Sequence, residues 1–165
     1  MLDKFFTWYQ KHYLLNLSIA AGLFLLQIFH LYWLFTDVIL LKLTGQSYFA
    51  FPDIWGVVST VLEYTEIPAI ISTSLLYIHL LRQNFSWKNI FFLLSINVQW
   101  LHILWITDEV VIERFTTHTQ FLHWPVLIAW LAILIDYLEL PVIYDTAKRL
   151  LFEIKSRIKK LDPKN

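Results

Sequence analysis

Six ionisable side chains stand inside strongly apolar parts of the chain. Two carboxylates occur three residues apart in the stretch LEYTEIP, and two more occur at the same spacing in IDYLELP. Residues at this spacing lie on one face of a helix. Single histidines stand in QIFHLYW and QWLHILW, each three residues after a glutamine. The six residues are His30, Glu63, Glu66, His102, Asp136 and Glu139.

The two halves of the chain repeat one pattern. The stretch around His30 matches that around His102 at an offset of 72 residues, and LEYTEIP matches IDYLELP at an offset of 73. The matched residues are mostly Gln, His, Trp, Glu, Tyr and Pro, which coincide by chance less often in apolar sequence than Leu, Ile or Val do. We therefore predict an internal duplication. Repeat one spans about residues 14–82, and repeat two spans about residues 88–148.

Composition predicts a membrane protein. The 165 residues are 58% hydrophobic and only 16% charged, with a mean hydropathy of +0.55. Four apolar runs each reach the ~20 residues that a membrane-spanning helix needs. They lie at about residues 14–43, 54–81, 90–112 and 123–147. The predicted fold is all-α: one membrane domain over residues 1–165, an integral membrane four-helix bundle of up-down-up-down topology. Its two repeated helical hairpins are expected to be related by a pseudo-twofold axis along the membrane normal.

Basic residues predict the orientation in the membrane. They concentrate before the first run, in the second loop and in the tail at residues 149–165, which places both termini in the cytoplasm. We expect a cytoplasmic or inner membrane. The N-terminus has no signal-peptide pattern, so the first run is expected to remain as a span. The basic tail extends the fourth helix, and either anionic lipid or solvent satisfies its charges. No nucleic acid partner is expected.

Burying four carboxylates requires compensating charge. Counting ~1.5 Å of rise per residue puts the six residues at mid-bilayer depth, where a charge costs at least ~2.5–3.5 kcal/mol. Because no Lys or Arg lies at that depth, two divalent cations would neutralise the carboxylates, with two neutral imidazoles completing the ligands. Our hypothesis gives each metal one histidine and shared carboxylates. Oxygen and imidazole ligands suit iron first, then zinc or manganese, and the chain has no cysteine.

The ligand set resembles that of the ferritin-like di-metal carboxylate proteins. Those proteins bind two metals in a four-helix bundle with four carboxylates and two histidines. The resemblance covers the six residues and the bundle architecture; here each histidine stands alone on its helix, and both acids share the next helix. The predicted chemistry is redox or oxygen activation on a lipid-soluble substrate such as a quinone. If the protein is an enzyme, it would be a membrane di-iron oxidoreductase.

Further residues are expected to support the site. Pro68 and Pro141 should each distort a helix near the acids, because proline cannot donate the backbone bond to the carbonyl four residues earlier. We expect a polar path for metal ions, protons or substrate to be lined by Asp37, Asp108 and Glu109. Alternatively, these residues simply mark the interfacial ends of their helices. We predict that the metal ligands, or a water bound at the site, form hydrogen bonds with Gln27, Gln99, Tyr64 and Tyr137.

Three other interpretations remain open from the sequence. The first is an electron carrier in which His30 and His102 are axial ligands of haem b. The second is a proton or metal transporter, for which a homodimer would supply more helices. The third is a metal-free network of protonated acids and histidines.

Overall fold

The computed structural model describes residues 2–46, 53–108 and 126–161, and all regular structure in these residues is helical. A π-helical segment lies between the second and third α-helices, and residues 107–108 are π-helical as well. In chain order the helices are α1 Leu2–Lys11, α2 Tyr13–Trp33, the π-helix Leu34–Ile39, α3 Leu40–Thr44, α4 Asp53–Tyr64, α5 Glu66–Gln83, α6 Trp87–Asn97, α7 Gln99–Ile106, α8 Val126–Tyr137 and α9 Glu139–Leu161.

Two stretches of the described residues have the length and apolar composition of membrane-spanning helices. They are Tyr13–Thr44, with 32 residues, and Trp87–Ile106, with 20 residues. The first and third predicted spans therefore meet the criterion. The second and fourth predicted spans are not among them. The structure divides each of these into two helices, at Thr65 and at Leu138, and the third is likewise divided at Val98.

Both divisions lie three residues before a proline. The backbone tightens there, with Thr65 N donating to the Leu62 carbonyl at 2.9 Å and Leu138 N donating to the Ile135 carbonyl at 2.9 Å. This three-residue closure is the 3₁₀ pattern. It accommodates a proline ring that cannot donate a hydrogen bond and that crowds the preceding turn. The distortion predicted from the prolines is thus present in both helices.

Glutamines from neighbouring helices bind the distorted turns. Gln27 Nε2 on α2 donates to the Thr65 hydroxyl at 3.0 Å and to the Leu62 carbonyl at 3.4 Å. Gln99 Nε2 on α7 donates to the Ile135 carbonyl at 2.8 Å. Both glutamines are fully buried. Each carbonyl also accepts the backbone hydrogen bond that closes its turn, so the glutamines add a second bond that links neighbouring helices at this level.

The helices pack around a buried centre, whereas the outward surface is apolar. α2 contacts α4, α5 and α9, α5 contacts α6, and α7 contacts α8. Phe24, Ile70 and Ile96 are at most 1% exposed. By contrast, Leu25 and Leu94 on the same helices as Phe24 and Ile96 are 69% and 65% exposed.

The basic tail continues the last helix without a break. α9 runs to Leu161, and its buried Asp145 accepts hydrogen bonds at 2.6 Å from both Lys88 and Arg149. Burial alone would lower the pKa of the Arg149 guanidinium, but its bond to Asp145 outweighs burial and raises that pKa above its ordinary value. The predicted extension of helix four is therefore tied to the start of α6.

Gln99→Leu is expected to destabilise the protein more than Gln27→Leu does. The Ile135 carbonyl would lose its glutamine donor, whereas the Leu62 carbonyl would keep the Thr65 hydroxyl, which donates to it at 2.6 Å. We expect a cost of about 1–2 kcal/mol for Gln99→Leu, measured by thermal unfolding followed by circular dichroism.

Leu138→Thr supplies the matched rescue. It places a hydroxyl where the first repeat has Thr65, and it should recover part of the stability of the Gln99→Leu variant. Equal losses for both glutamine variants, with no rescue, would contradict this role of the glutamines.

Candidate metal centre

All six predicted ligands are buried, with 1–3% of each residue exposed. His30 lies on α2 and His102 on α7, and the acids flank the two helix divisions. Glu63 precedes the division at Thr65, and Glu66 follows it. Asp136 and Glu139 stand in the same relation to Leu138. Each proline-linked turn therefore places one acid on either side of a change in helix path.

The Glu63 carboxylate lies between the two imidazoles. Its Oε1 is 3.1 Å from His30 Nδ1, and its Oε2 is 3.0 Å from His102 Nε2. These residues come from α2, α4 and α7, which are distant in sequence. One carboxylate therefore joins the histidines of both repeats.

Asp136 lies against the same two imidazoles through their other nitrogens. Its Oδ1 is 2.9 Å from His102 Nδ1, and its Oδ2 is 4.0 Å from His30 Nε2. With Glu63 it completes a ring in which imidazole and carboxylate alternate. The ring therefore brings together residues of both halves of the chain.

The contacts within the ring resemble distances between ligands of a shared cation. His102 Nε2 and Glu63 form a hydrogen bond, but the His30 and His102 Nδ1 atoms lack hydrogen-bond geometry to the carboxylates beside them. Two atoms that each bind one metal at about 2.0–2.2 Å lie roughly 3 Å apart. The nitrogen–oxygen distances at the two Nδ1 atoms are therefore compatible with ligands of one ion.

Two donor sets of three residues each satisfy metal-site spacing, with their ligand atoms within 4.8 Å of one another. One set is His30, Glu63 and His102; the other is Glu66, His102 and Asp136. The arrangement differs from the hypothesis of one histidine per metal, because His102 belongs to both sets. A neutral imidazole has one nitrogen free to bind a metal, because the other carries a proton, so His102 could bind cations on both sides only as an imidazolate.

Glu66 and Glu139 carry the strongest demand for a counter-charge. No oxygen of either carboxylate has a hydrogen-bond partner among the described residues. Glu139 stands outside both donor sets, although its carboxylate interacts electrostatically with those of Glu66 and Asp136. Unpaired buried carboxylates are costly. No Lys or Arg of the described chain forms an ion pair with any of the four acids.

The predicted supporting residues bind neighbouring helices. The Tyr64 hydroxyl is 2.7 Å from the Thr107 hydroxyl, and the Tyr137 hydroxyl donates to the Leu31 carbonyl at 3.3 Å. The Oε1 atoms of Gln27 and Gln99 are buried and have no hydrogen-bond partner among the described residues. Both remain available to a bound water or to a ligand's N–H group.

Two tryptophans that the sequence analysis did not single out border the centre. The ring of Trp33 lies 6.0 Å from that of His30, and Trp105 lies 5.8 Å from His102. They occupy matched positions of the two repeats, so a comparison of the repeats could have identified them. Bulky indoles beside the imidazoles restrict their rotation.

The predicted access path is described only in part. Asp37 lies in the π-helix and accepts a hydrogen bond from the Thr36 hydroxyl at 3.0 Å. Asp108 is 6% exposed and belongs to the second π-helical stretch. Glu109 lies outside the described residues. Their role in access stays a prediction, as does the interfacial alternative.

No family model matches the chain, and no curated protein or solved structure is similar to it at a significant level. The resemblance to ferritin-like di-metal proteins therefore rests on the ligand set.

Removing His102 is expected to cost more bound metal than removing His30. His102→Ala takes a ligand from both donor sets, whereas His30→Ala leaves Glu66, His102 and Asp136 in place. Manganese content after dialysis should fall to near zero for His102→Ala and to about half of the wild-type value for His30→Ala, because binding requires the full donor set.

His79→Gln is the matched control for these variants. His79 is also buried, but it bonds Gln10 and packs on the ring of Phe6. It should keep the wild-type metal content. A loss equal to that of His102→Ala would mean that folding, rather than ligation, sets the metal content.

Proposed function

We propose that the protein is an integral membrane four-helix bundle that holds two divalent cations for redox chemistry on a lipid-soluble substrate. The observation that carries this proposal is the pair of buried donor sets that share His102. Four carboxylates can balance the charge of two divalent cations, and the imidazoles can supply nitrogen ligands to both cations.

The distribution of polarity supports a membrane location. Buried positions include Gln, His, Thr and acidic side chains, whereas large aliphatic side chains such as Leu101 and Leu127 are 59% and 67% exposed. A water-soluble bundle would place these groups the other way round. Two helices with the length and composition of membrane spans add to this support.

Matched contacts support a duplicated origin with a pseudo-twofold relation. Gln27 donates to the Leu62 carbonyl, and Gln99 donates to Ile135, its counterpart at the offset of 73. The helix divisions at Thr65 and Leu138 have the same offset. These pairs are detailed enough to favour duplication over chance.

Iron is the metal that we propose first. Imidazole and carboxylate donors with no cysteine suit iron, manganese or zinc, and of these zinc has no redox chemistry. Two ferrous ions hold the two electrons that convert a quinone to a quinol, with two protons taken up. The surrounding carboxylates are suited to accept or pass those protons.

The geometry favours this centre over haem ligation. Glu63 and Asp136 each lie between the two imidazoles, where the macrocycle of a bis-histidine haem would need to fit. Three of the four imidazole nitrogens lie 2.9–3.1 Å from a carboxylate oxygen, and the fourth, His30 Nε2, lies 4.0 Å from Asp136.

Single-cysteine labelling tests the membrane topology. The chain has no native cysteine, so Gln46→Cys, Asn84→Cys and Lys160→Cys each introduce one label site at an exposed position. A membrane-impermeant maleimide should label the last two from the cytoplasmic side and the first from the opposite side. Labelling of all three from one side would contradict a spanning bundle.

Anaerobic reaction with a long-chain quinone tests the redox function. Iron(II)-loaded protein in liposomes should form about one quinol per chain in a single turnover, since two ferrous ions supply its two electrons. His102→Ala should form none, and His79→Gln should match the wild type.

Bound iron that neither reduces quinone nor consumes oxygen would contradict the redox assignment. Accumulation of iron in the liposome lumen would instead identify a transporter.

A further inference from the structure

A second site lies on α9, apart from the metal centre. A cavity of about 760 Å³ opens between the start of α2 at Tyr13, the start of α6 at Lys88 and residues 144–155 of α9. It borders the basic tail. The metal ligands are not part of its lining.

The carboxylates in this cavity are already paired. Asp145 is held at 2.6 Å by both Lys88 and Arg149, and Glu153 is held at 2.8 Å by Arg157. Because two cations share Asp145, this group retains positive charge.

Two lysines in the cavity wall have no such partner. Lys148 and Lys155 form no ion pair with any described residue. They are seven residues apart, which puts them on one helix face about 10 Å apart along the axis. The cavity lining thus carries four cationic side chains against the two carboxylates of Asp145 and Glu153.

The same wall is also apolar. Leu151 lies between the two lysines on their helix face and is 59% exposed, and the neighbouring Phe152 is 75% exposed. Tyr144 is 70% exposed and lies one turn before Lys148. An anion with hydrocarbon attached would satisfy both parts of this surface.

We propose that the cavity binds an anionic phospholipid, with its phosphate at Lys148 and Lys155 and its acyl chains against Leu151 and Phe152. Basic pockets beside membrane helices bind such headgroups. The proposal rests on the membrane location argued above, but not on the metal centre.

Lipid binding to the detergent-solubilised full chain tests this site. Native mass spectrometry would compare phosphatidylglycerol, phosphatidylcholine and inorganic phosphate as probes. We expect retention of one phosphatidylglycerol and much weaker retention of the other two. Lys148→Gln with Lys155→Gln should weaken phosphatidylglycerol binding about 30-fold.

The double variant Lys159→Gln with Lys160→Gln is the matched control. It removes the same charge from exposed positions of α9 outside the cavity, and it should retain the lipid. Equal weakening by both double variants would overturn the proposal, since it would indicate diffuse attraction to the tail. Equal binding of inorganic phosphate or phosphatidylcholine would overturn the lipid assignment.

Metal content separates this proposal from the function proposed above. Both lysine variants should keep the wild-type metal content and the wild-type circular dichroism spectrum. A lysine variant that lost its helicity would be replaced by Lys148→Arg with Lys155→Arg, which keeps the charge and should keep the lipid.

Discussion

The rest of the structure depends on the burial of four carboxylates in an apolar bundle. Glu63, Glu66, Asp136 and Glu139 are almost inaccessible to solvent, and no Lys or Arg of the described residues forms an ion pair with them. A group of this kind requires bound cations or protons. The alternation of imidazole and carboxylate, with nitrogen–oxygen contacts near 3 Å, favours cations, because one ion satisfies several donors at once.

The helix divisions explain how one chain segment contributes two such acids. An uninterrupted helix would stack residues at i and i+3 on one face with a fixed separation. The turn at Thr65 or Leu138 lies between the two acids of each pair. It therefore allows the second acid to enter the centre in a direction different from that of the first. A glutamine of the neighbouring helix holds each turn, so positions of the acids and of the histidines depend on the same contacts.

All six residues singled out from the sequence are buried, because polar groups repeated within apolar segments pack in a shared interior. The prolines also located two of the distortions, whereas the division at Val98 has no proline near it and was not predicted. The sequence could not reveal that His102 belongs to both donor sets, because that depends on which imidazole nitrogen faces Glu63 and which faces Asp136. The glutamines were assigned to the ligands, whereas their amide nitrogens bind carbonyls at the distorted turns. That contact depends on how far α2 and α7 lie from the turns, which no pattern within one helix specifies. Likewise, the second and fourth hydrophobic runs met the length criterion for spans although each is divided.

X-ray absorption spectroscopy of the iron-loaded protein tests the central claim most directly. The account predicts a first shell of oxygen and nitrogen at about 2.0–2.2 Å, with the outer-shell scattering of imidazole, and it predicts that His102→Ala retains too little iron to give this spectrum. Iron surrounded by oxygen alone in the wild-type protein, with no imidazole contribution, would contradict it.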